Sequence, residues 1–339
     1  MHFGLKEREM MKIMRRIYPF VAFVAAILYV SSCTKDNTVQ NALDAEQRYF
    51  DIYMGANYPD AVPQSSGLFY LENTVGNGAM PGDSTWVLVN YVAYIIPEDQ
   101  VYDTYIERVA IDNRIQDTSA LYGPYKMRNG LTNDGFTEGL SMMQEGGEAS
   151  YMFTSELGYG STNTGNLPAY TSLKYEVQLL EILGDDIVAY EETKIQAYTD
   201  TIIGVETIYD ETLDATMFYV VDSATNGPPV AIDSTIQVAY KGYLMDGRVF
   251  DESSDGNYFK FTVSETDEGV IRGWQLGMQK FKEGEKGRLI IPYLLAYGPQ
   301  GEYTNSNHVV IPPYETLVFD IEVISVEAED DDVKPEEEE

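Results

Sequence analysis

The side chains of this chain best suited to chemistry are aromatic, and they gather between Thr235 and Val326. Their spacings build a small apolar pocket, which excludes water and grips a nonpolar ring while offering few polar groups. Titratable catalysts are scarce by contrast. The histidines are His2 and His308, and Cys33 is the single cysteine. That inventory excludes a zinc cluster and any Ser-His-Asp or Cys-His constellation. Carboxylates are abundant but unpatterned, and no glycine loop is spaced to cradle a phosphate. His308 lies in a loop and is expected to be solvated.

The elements that must hold such a pocket are legible on either side of it. Ile236, Val238 and Tyr240 alternate with polar positions, as a half-buried strand requires, and Leu317, Phe319, Ile321 and Val323 do the same at the far end. Between them Trp274, Met278 and Phe281 recur at helical spacing, and Gly284 stops the run. Strands enclosing one short helix predict an α+β domain whose sheet curls around that helix.

Four blocks stand here in order: VAYKGYLMDGRVFDESS, VIRGWQLG, AYG and IPPYETLVFDIEV. Together they resemble the FKBP-type peptidyl-prolyl cis-trans isomerase domain, from about Phe218 to Val326. The resemblance implies a strongly twisted antiparallel sheet wrapped around one helix, with the ligand groove between them. It also implies the site: Tyr240, Phe250, Phe259 and Phe319 as walls, Trp274 as the floor under a prolyl ring, Val270 and Ile271 at the edge. The Ile271 backbone N–H would bond a ligand carbonyl, while Asp251 and the Tyr297 hydroxyl would form a polar rim. Phe261 matches a further pocket position or belongs to the core. The loop Pro299–Val309 is longer than in the smallest family members and flanks the groove, so substrate preference does not transfer.

Rotation about an X-Pro amide is slow because its partial double bond must be broken, at about 18–20 kcal/mol. A catalyst of this step needs no nucleophile and no proton shuttle. It needs a dry apolar site that favours the twisted amide over the planar one. No cofactor is expected.

The pattern occurs twice. Gly135–Gly160 matches Gly273–Gly298 at constant offset, setting Phe136 on Trp274 and Tyr159 on Tyr297. Likewise Tyr91 falls on Tyr240, Tyr102-Asp103 on Phe250-Asp251 and Tyr175 on Phe319. A repeat of this length means duplicated domains. The first copy has lost apolar character: hydroxyls arrive at 102 and 175, and Thr132-Asn133-Asp134-Gly135-Phe136 stands where the second has VIRGW. An insertion separates Asp103 from Tyr125-Lys126-Met127, the counterpart of Phe259-Lys260-Phe261. The fold is therefore expected in both copies and catalysis in the second, leaving the first for peptide binding, dimer contact or spacing. A helix precedes each copy, with Glu46, Phe50 and Tyr53 matching Glu191, Ile195 and Tyr198.

Lys12, Arg15 and Arg16 precede the apolar run IYPFVAFVAAILYV, which reads as a secretory signal shorter than a membrane span. It ends in Val30-Ser31-Ser32-Cys33, which resembles a bacterial lipobox with Cys33 as the lipidated residue. The absence of other cysteines fits that reading. Thr34 is not the aspartate that resembles an inner-membrane retention signal, so an outer-membrane lipoprotein is expected. A net charge of −33 argues against nucleic acid as a partner. The expected organisation is a signal at 1–32, tether and helix at 33–65, a degenerate domain at 66–183 and a linker helix at 184–213. An isomerase domain at 214–327 and an acidic, disordered tail at 328–339 complete it. Two functions remain open: a lipid-anchored prolyl isomerase acting on proline-containing exported polypeptides, or a lipoprotein that binds peptides or a partner without turnover.

Overall fold

Residues 35–165, 167–265 and 269–327 are described by the computed structural model. The signal, Cys33 and the tail from residue 328 lie outside them. The chain opens with helix α1 (Lys35–Asn57). The first sheet takes β1 (Phe69–Thr74), β2 (Trp86–Ile95), β3 (Gln100–Thr104), β4 (Tyr125–Arg128), β5 (Glu148–Phe153) and β6 (Leu173–Gly184). Helices α2 (Glu107–Asn113) and α3 (Asp134–Ser141) fall within it, and α4 (Ile187–Thr199) follows. The second sheet takes β7 (Glu206–Asp210), β8 (Ala215–Ser223), β9 (Thr235–Leu244), β10 (Val249–Glu252), β11 (Phe259–Thr262), β12 (Lys286–Ile291) and β15 (Leu317–Glu327). Between them come α5 (Arg272–Gly277) and a small hairpin, β13 (Glu302–Tyr303) and β14 (Val309–Ile311).

The two sheets share one topology. The first runs β1-β5-β6-β2-β3 with β4 on β2, and the second runs β8-β12-β15-β9-β10 with β11 on β9. Every pairing is antiparallel. The second sheet carries one strand more at its edge, β7, which lies within the stretch expected to be linker. Register confirms the repeat residue by residue. Tyr175 pairs with Ala93 as Phe319 pairs with Gly242, and Tyr125 pairs with Val89 as Phe259 pairs with Val238.

Alternation explains why these segments form sheets with one buried face. Val87, Val89 and Tyr91 of β2 point into the first core, and Ile236 and Val238 of β9 into the second. Helices α3 and α5 can lie flat on β5 and β12 because glycines face the strands. A methyl group on Gly273 would stand 2.3 Å from Ile291, and on Gly277 2.7 Å from Leu289. In the first domain Gly135 and Gly139 meet Phe153 and Tyr151 in the same way, each at 2.6 Å.

Each preceding helix docks through a buried carboxylate. In α1, Phe50, Tyr53 and Met54 pack on Ile96 and Met152. Its Glu46 accepts from Ser155 N–H and Oγ, both at 2.6 Å, and from Ser172 Oγ at 2.8 Å. The matching Glu191 of α4 lies 3.0 Å from Lys126 Nζ on β4, and Lys126 also meets Glu315 of the second domain at 2.5 Å. With exposures of 4, 1 and 6% for Lys126, Glu191 and Glu315, this ion triad is buried between the first domain, the helix and the second domain. Helix α4 is thus a packed joint, and burial together with the nearby Glu191 charge pushes the Glu315 carboxyl up against the pull of Lys126.

Candidate functional site

In the second domain the buried face of the sheet and α5 bring together the aromatic residues read from the sequence. Trp274 lies at the bottom, with Tyr240 and Phe319 each 5.2 Å away between ring centroids and near-perpendicular to it. Phe259 and Phe261 approach Trp274 at 5.7 and 5.6 Å, and Phe250 stands edge-on to Phe319 at 5.5 Å. Gly242 makes room for this pair, since a methyl group there would meet the Phe250 ring at 2.7 Å and the Phe319 ring at 2.8 Å. Trp274 and Phe319 are buried, whereas Tyr240 and Phe250 are half-buried and Phe259 is exposed. The result is an open aromatic dish with a buried floor.

The rim is polar and sparsely occupied. Tyr240 donates to Asp251 Oδ2 at 2.5 Å. Burial, then the bond and charge of Asp251, push this phenol well above its ordinary range. Burial, with the Glu302 and Asp251 charges nearby, raises the Tyr297 phenol too. Among the described residues neither the Tyr297 hydroxyl nor the Ile271 backbone N–H has a hydrogen-bond partner. Ile271 holds the N-cap of α5 with extended backbone and no side-chain cap, and packs with Val270 against the domain core. The dish therefore presents two unsatisfied donors beside an apolar floor, which suits a ligand with carbonyl oxygens flanking a nonpolar ring. Among the described residues no group of three or more His, Cys, Asp or Glu side chains could hold a metal ion.

The first domain keeps the layout and changes the chemistry. Tyr91 donates to Asp103 at 2.6 Å, as Tyr240 does to Asp251. Tyr102 and Tyr175 stand edge-on at 6.4 Å, and their hydroxyls bond each other. Asn133 Nδ2 donates to Tyr175 at 3.2 Å, while its Oδ1 caps α3 by accepting from Phe136 N–H at 2.9 Å. Burial drives the Tyr91, Tyr102 and Tyr175 phenols far up and raises the Asp103 carboxyl. A cavity of about 570 Å³ opens among Tyr91, Asp103, Asn133, Tyr159 and Tyr175, and Asn307 of the second domain supplies part of its wall.

Contacts between domains were not legible in the sequence. His308 is not a solvated loop residue: its side chain is one-quarter exposed, its Nδ1 is 3.3 Å from Asp117 Oδ2, and its ring stands edge-on to Tyr105 at 6.2 Å. The two insertions, after Asp103 and after Tyr297, were visible as lengths. Their meeting was not.

Two antiparallel sheets, each folded over a short helix with an aromatic groove between, define a tandem α+β architecture. The family model of FKBP-type peptidyl-prolyl cis-trans isomerase matches residues 78–180 and 227–324, more than half of the chain. The chain belongs to that family. It is 40% identical over 122 residues to the FKBP-type peptidyl-prolyl cis-trans isomerase FkpA of Escherichia coli (strain K12), covering 35% of this chain and 42% of that protein. With the macrophage infectivity potentiator of Trypanosoma cruzi it shares 44% identity over 97 residues, covering 28% of this chain and 45% of the relative. It thus spans less than half the length of these curated relatives. The peptidyl-prolyl cis-trans isomerase Fkbp12 of Drosophila melanogaster is 42% identical over 93 residues, covering 27% of this chain and 80% of that protein. Among solved structures, FkpA from Escherichia coli aligns at 34% identity and a TM-score of 0.34, covering 42% of this chain and 62% of that one.

Proposed function

We propose that the second domain catalyses peptidyl-prolyl cis-trans isomerisation, on proline-containing segments of polypeptides. The observation that carries this reading is the pair of free donors, Ile271 N–H and Tyr297 O–H, beside the Trp274–Tyr240–Phe319 dish. The prolyl ring rests on Trp274, and the walls exclude water. The donors hold the carbonyls on either side, so the amide between them can turn. A twisted amide loses its resonance and charge separation, so an apolar floor favours it over the planar form, and each ~1.4 kcal/mol of that preference is about tenfold in rate. Asp251 orients Tyr240 and serves as a rim acceptor; no step moves a proton.

A protease-coupled isomerisation assay on the purified protein tests this directly. Acceleration of an Ala-Pro tetrapeptide is expected, lost in Trp274→Ala. A folded wild-type protein without turnover leaves the second reading, a peptide-binding lipoprotein, which the polar pocket of the first domain favours.

The proposal extends to location. The apolar run ending in Val30-Ser31-Ser32-Cys33, with no other cysteine in the chain, supports lipidation at Cys33 and an outer-membrane anchor. Among the described residues no helix is long and apolar enough to cross a membrane. Cys33→Ser should move the protein out of the membrane fraction; incorporation of labelled palmitate by that variant would sink the anchor.

A further inference from the structure

The hairpin β13–β14 runs from the rim of one pocket to the mouth of the other. The segment that carries it is closed beside Tyr297, where Tyr314 N–H donates to Gly298 C=O at 3.3 Å. Its tip is closed by Thr304 N–H bonding His308 C=O at 2.8 Å and Asn307 N–H bonding Thr304 C=O at 2.9 Å. Its ladder pairs only Glu302 with Ile311 and Tyr303 with Val309, with an irregularity between. So short a ribbon is marginal on its own in water. Ile311 seats one strand in the second domain's own core, and the first domain's insertion is positioned to hold the rest.

Three hydrogen bonds cross between that insertion and the hairpin, with the His308 ring packed beside them. Leu121 N–H donates to Val309 C=O at 2.7 Å, and Val309 N–H donates to the Tyr105 hydroxyl at 2.9 Å. Thr304 Oγ1 donates to Asp117 Oδ2 at 2.8 Å, and His308 Nδ1 lies 3.3 Å from the same oxygen. Apolar residues are exchanged as well. Val309, 2% exposed, is buried in the first domain's core, and Leu121 of the first domain is buried in the second's. Arg248, in the turn beside β10, adds a bond from Nη1 to Pro124 C=O at 3.1 Å.

We infer that the first domain, through Tyr105, Asp117 and Leu121, positions the second domain's hairpin and thereby sets which X-Pro segments the groove accepts. This rests on the second domain being the isomerase. The hairpin places Glu302 within electrostatic reach of Tyr297. A hairpin that swings free takes the Glu302 carboxylate away from that rim while the floor at Trp274 stays in place. The domain that has lost an apolar pocket thus becomes a specificity element for its neighbour. These three side chains are positioning residues, not catalytic ones.

The test uses the full-length protein and a series of X-Pro tetrapeptides that differ only at X. Tyr105→Phe removes the Val309 anchor alone, whereas Thr304→Val removes the Asp117 anchor together with the bonds that Thr304 Oγ1 accepts from Ser306 and His308 N–H within the tip; neither empties a core. Each is expected to raise KM severalfold for bulky X, to change kcat less than twofold and to flatten the preference among X. Thr304→Ser keeps the donor and should behave as wild type. Amide exchange at Tyr303 and Val309 should quicken about tenfold in the first two variants and not in the third. An unchanged X preference in Thr304→Val and Tyr105→Phe, with exchange accelerated, would overturn the inference; so would unchanged exchange, whether or not the protein turns over. Absence of wild-type turnover would count against the isomerase reading instead. The positioning is then read from chemical shifts of the Tyr297 and Ile271 amides, and shifts identical to wild type in both variants would overturn it.

Discussion

The two grooves of this protein share a backbone and differ in what the backbone presents. Phe250 and Phe319 in the second meet edge-on at 5.5 Å and 87°; Tyr102 and Tyr175 in the first keep nearly that arrangement, at 6.4 Å and 79°. The added hydroxyls are tolerated because they arrive as a set. A buried hydroxyl left unpaired costs about 1–3 kcal/mol, and here Tyr102, Tyr175 and Asn133 satisfy one another. The glycine pairs beneath α3 and α5 and the register of the central strands preserve the fold in both copies. Fold and groove chemistry are thus separable: one resides in small residues and strand alternation, the other in a handful of wall positions.

The sharpest break of the comparison is at position 319. Phe319→Ala should admit water to the floor, cost about 3–5 kcal/mol of stability and lower kcat/KM at least tenfold. Tyr175→Phe, at the matching place, should leave turnover within twofold. Loss of turnover in both, with circular dichroism intact, would mean that the first groove takes part in catalysis.

Next comes a lysine that the repeat uses in two ways. Lys126 is buried between two carboxylates, whereas its counterpart Lys260 meets Glu327 with both side chains more than half exposed. Lys126→Met strands buried charge and should cost about 3–5 kcal/mol in urea unfolding. Lys260→Met should cost under about 1 kcal/mol. Adding Glu191→Gln and Glu315→Gln to Lys126→Met should recover most of the loss.

Alkali should separate the domains by a smaller margin. Burial raises the Tyr102, Tyr151 and Tyr175 phenols, and Phe250, Leu289 and Phe319 stand at those places in the second domain. A phenol raised in the folded state contributes stability that is full below the unfolded value of about 10 and is lost as pH rises toward the folded value. The first domain should therefore weaken first above about pH 10. Trp86 stands edge-on to Tyr314 of the second domain at 5.5 Å, so Trp274 fluorescence in Trp86→Phe reports on the second domain alone, and its loss together with the first loss of secondary structure would count against this account.

The smallest expected effect is none. With the Tyr240 and Tyr297 phenols raised and no proton moved, kcat/KM should be flat between about pH 6 and 8. A bell-shaped profile abolished by His308→Ala would reveal proton transfer.

Much of this was legible in the sequence. Tyr240, Trp274 and Phe319 announce themselves by alternation and helical spacing, and the repeat fixes their counterparts at 91, 136 and 175. Those signals are local, since each strand or helix sets its periodicity among neighbours a few residues apart. The sequence predicts a linker helix at Ile187–Thr199 but not its docking, because Glu191 reads the same whether it faces water or Lys126. Likewise Asp117 and Thr304, 187 residues apart, bond only because two insertions of unrelated sequence fold toward each other. By itself the sequence determined two antiparallel domains, their aromatic grooves and the apolar character of the second. Only the tertiary structure decided that Tyr102, Tyr175 and Asn133 satisfy one another, that Lys126 ties three units together, and that His308 and Val309 dock on the first domain. Each of those depends on complementarity between surfaces brought together by docking, and no periodicity encodes a partner's position across a domain boundary.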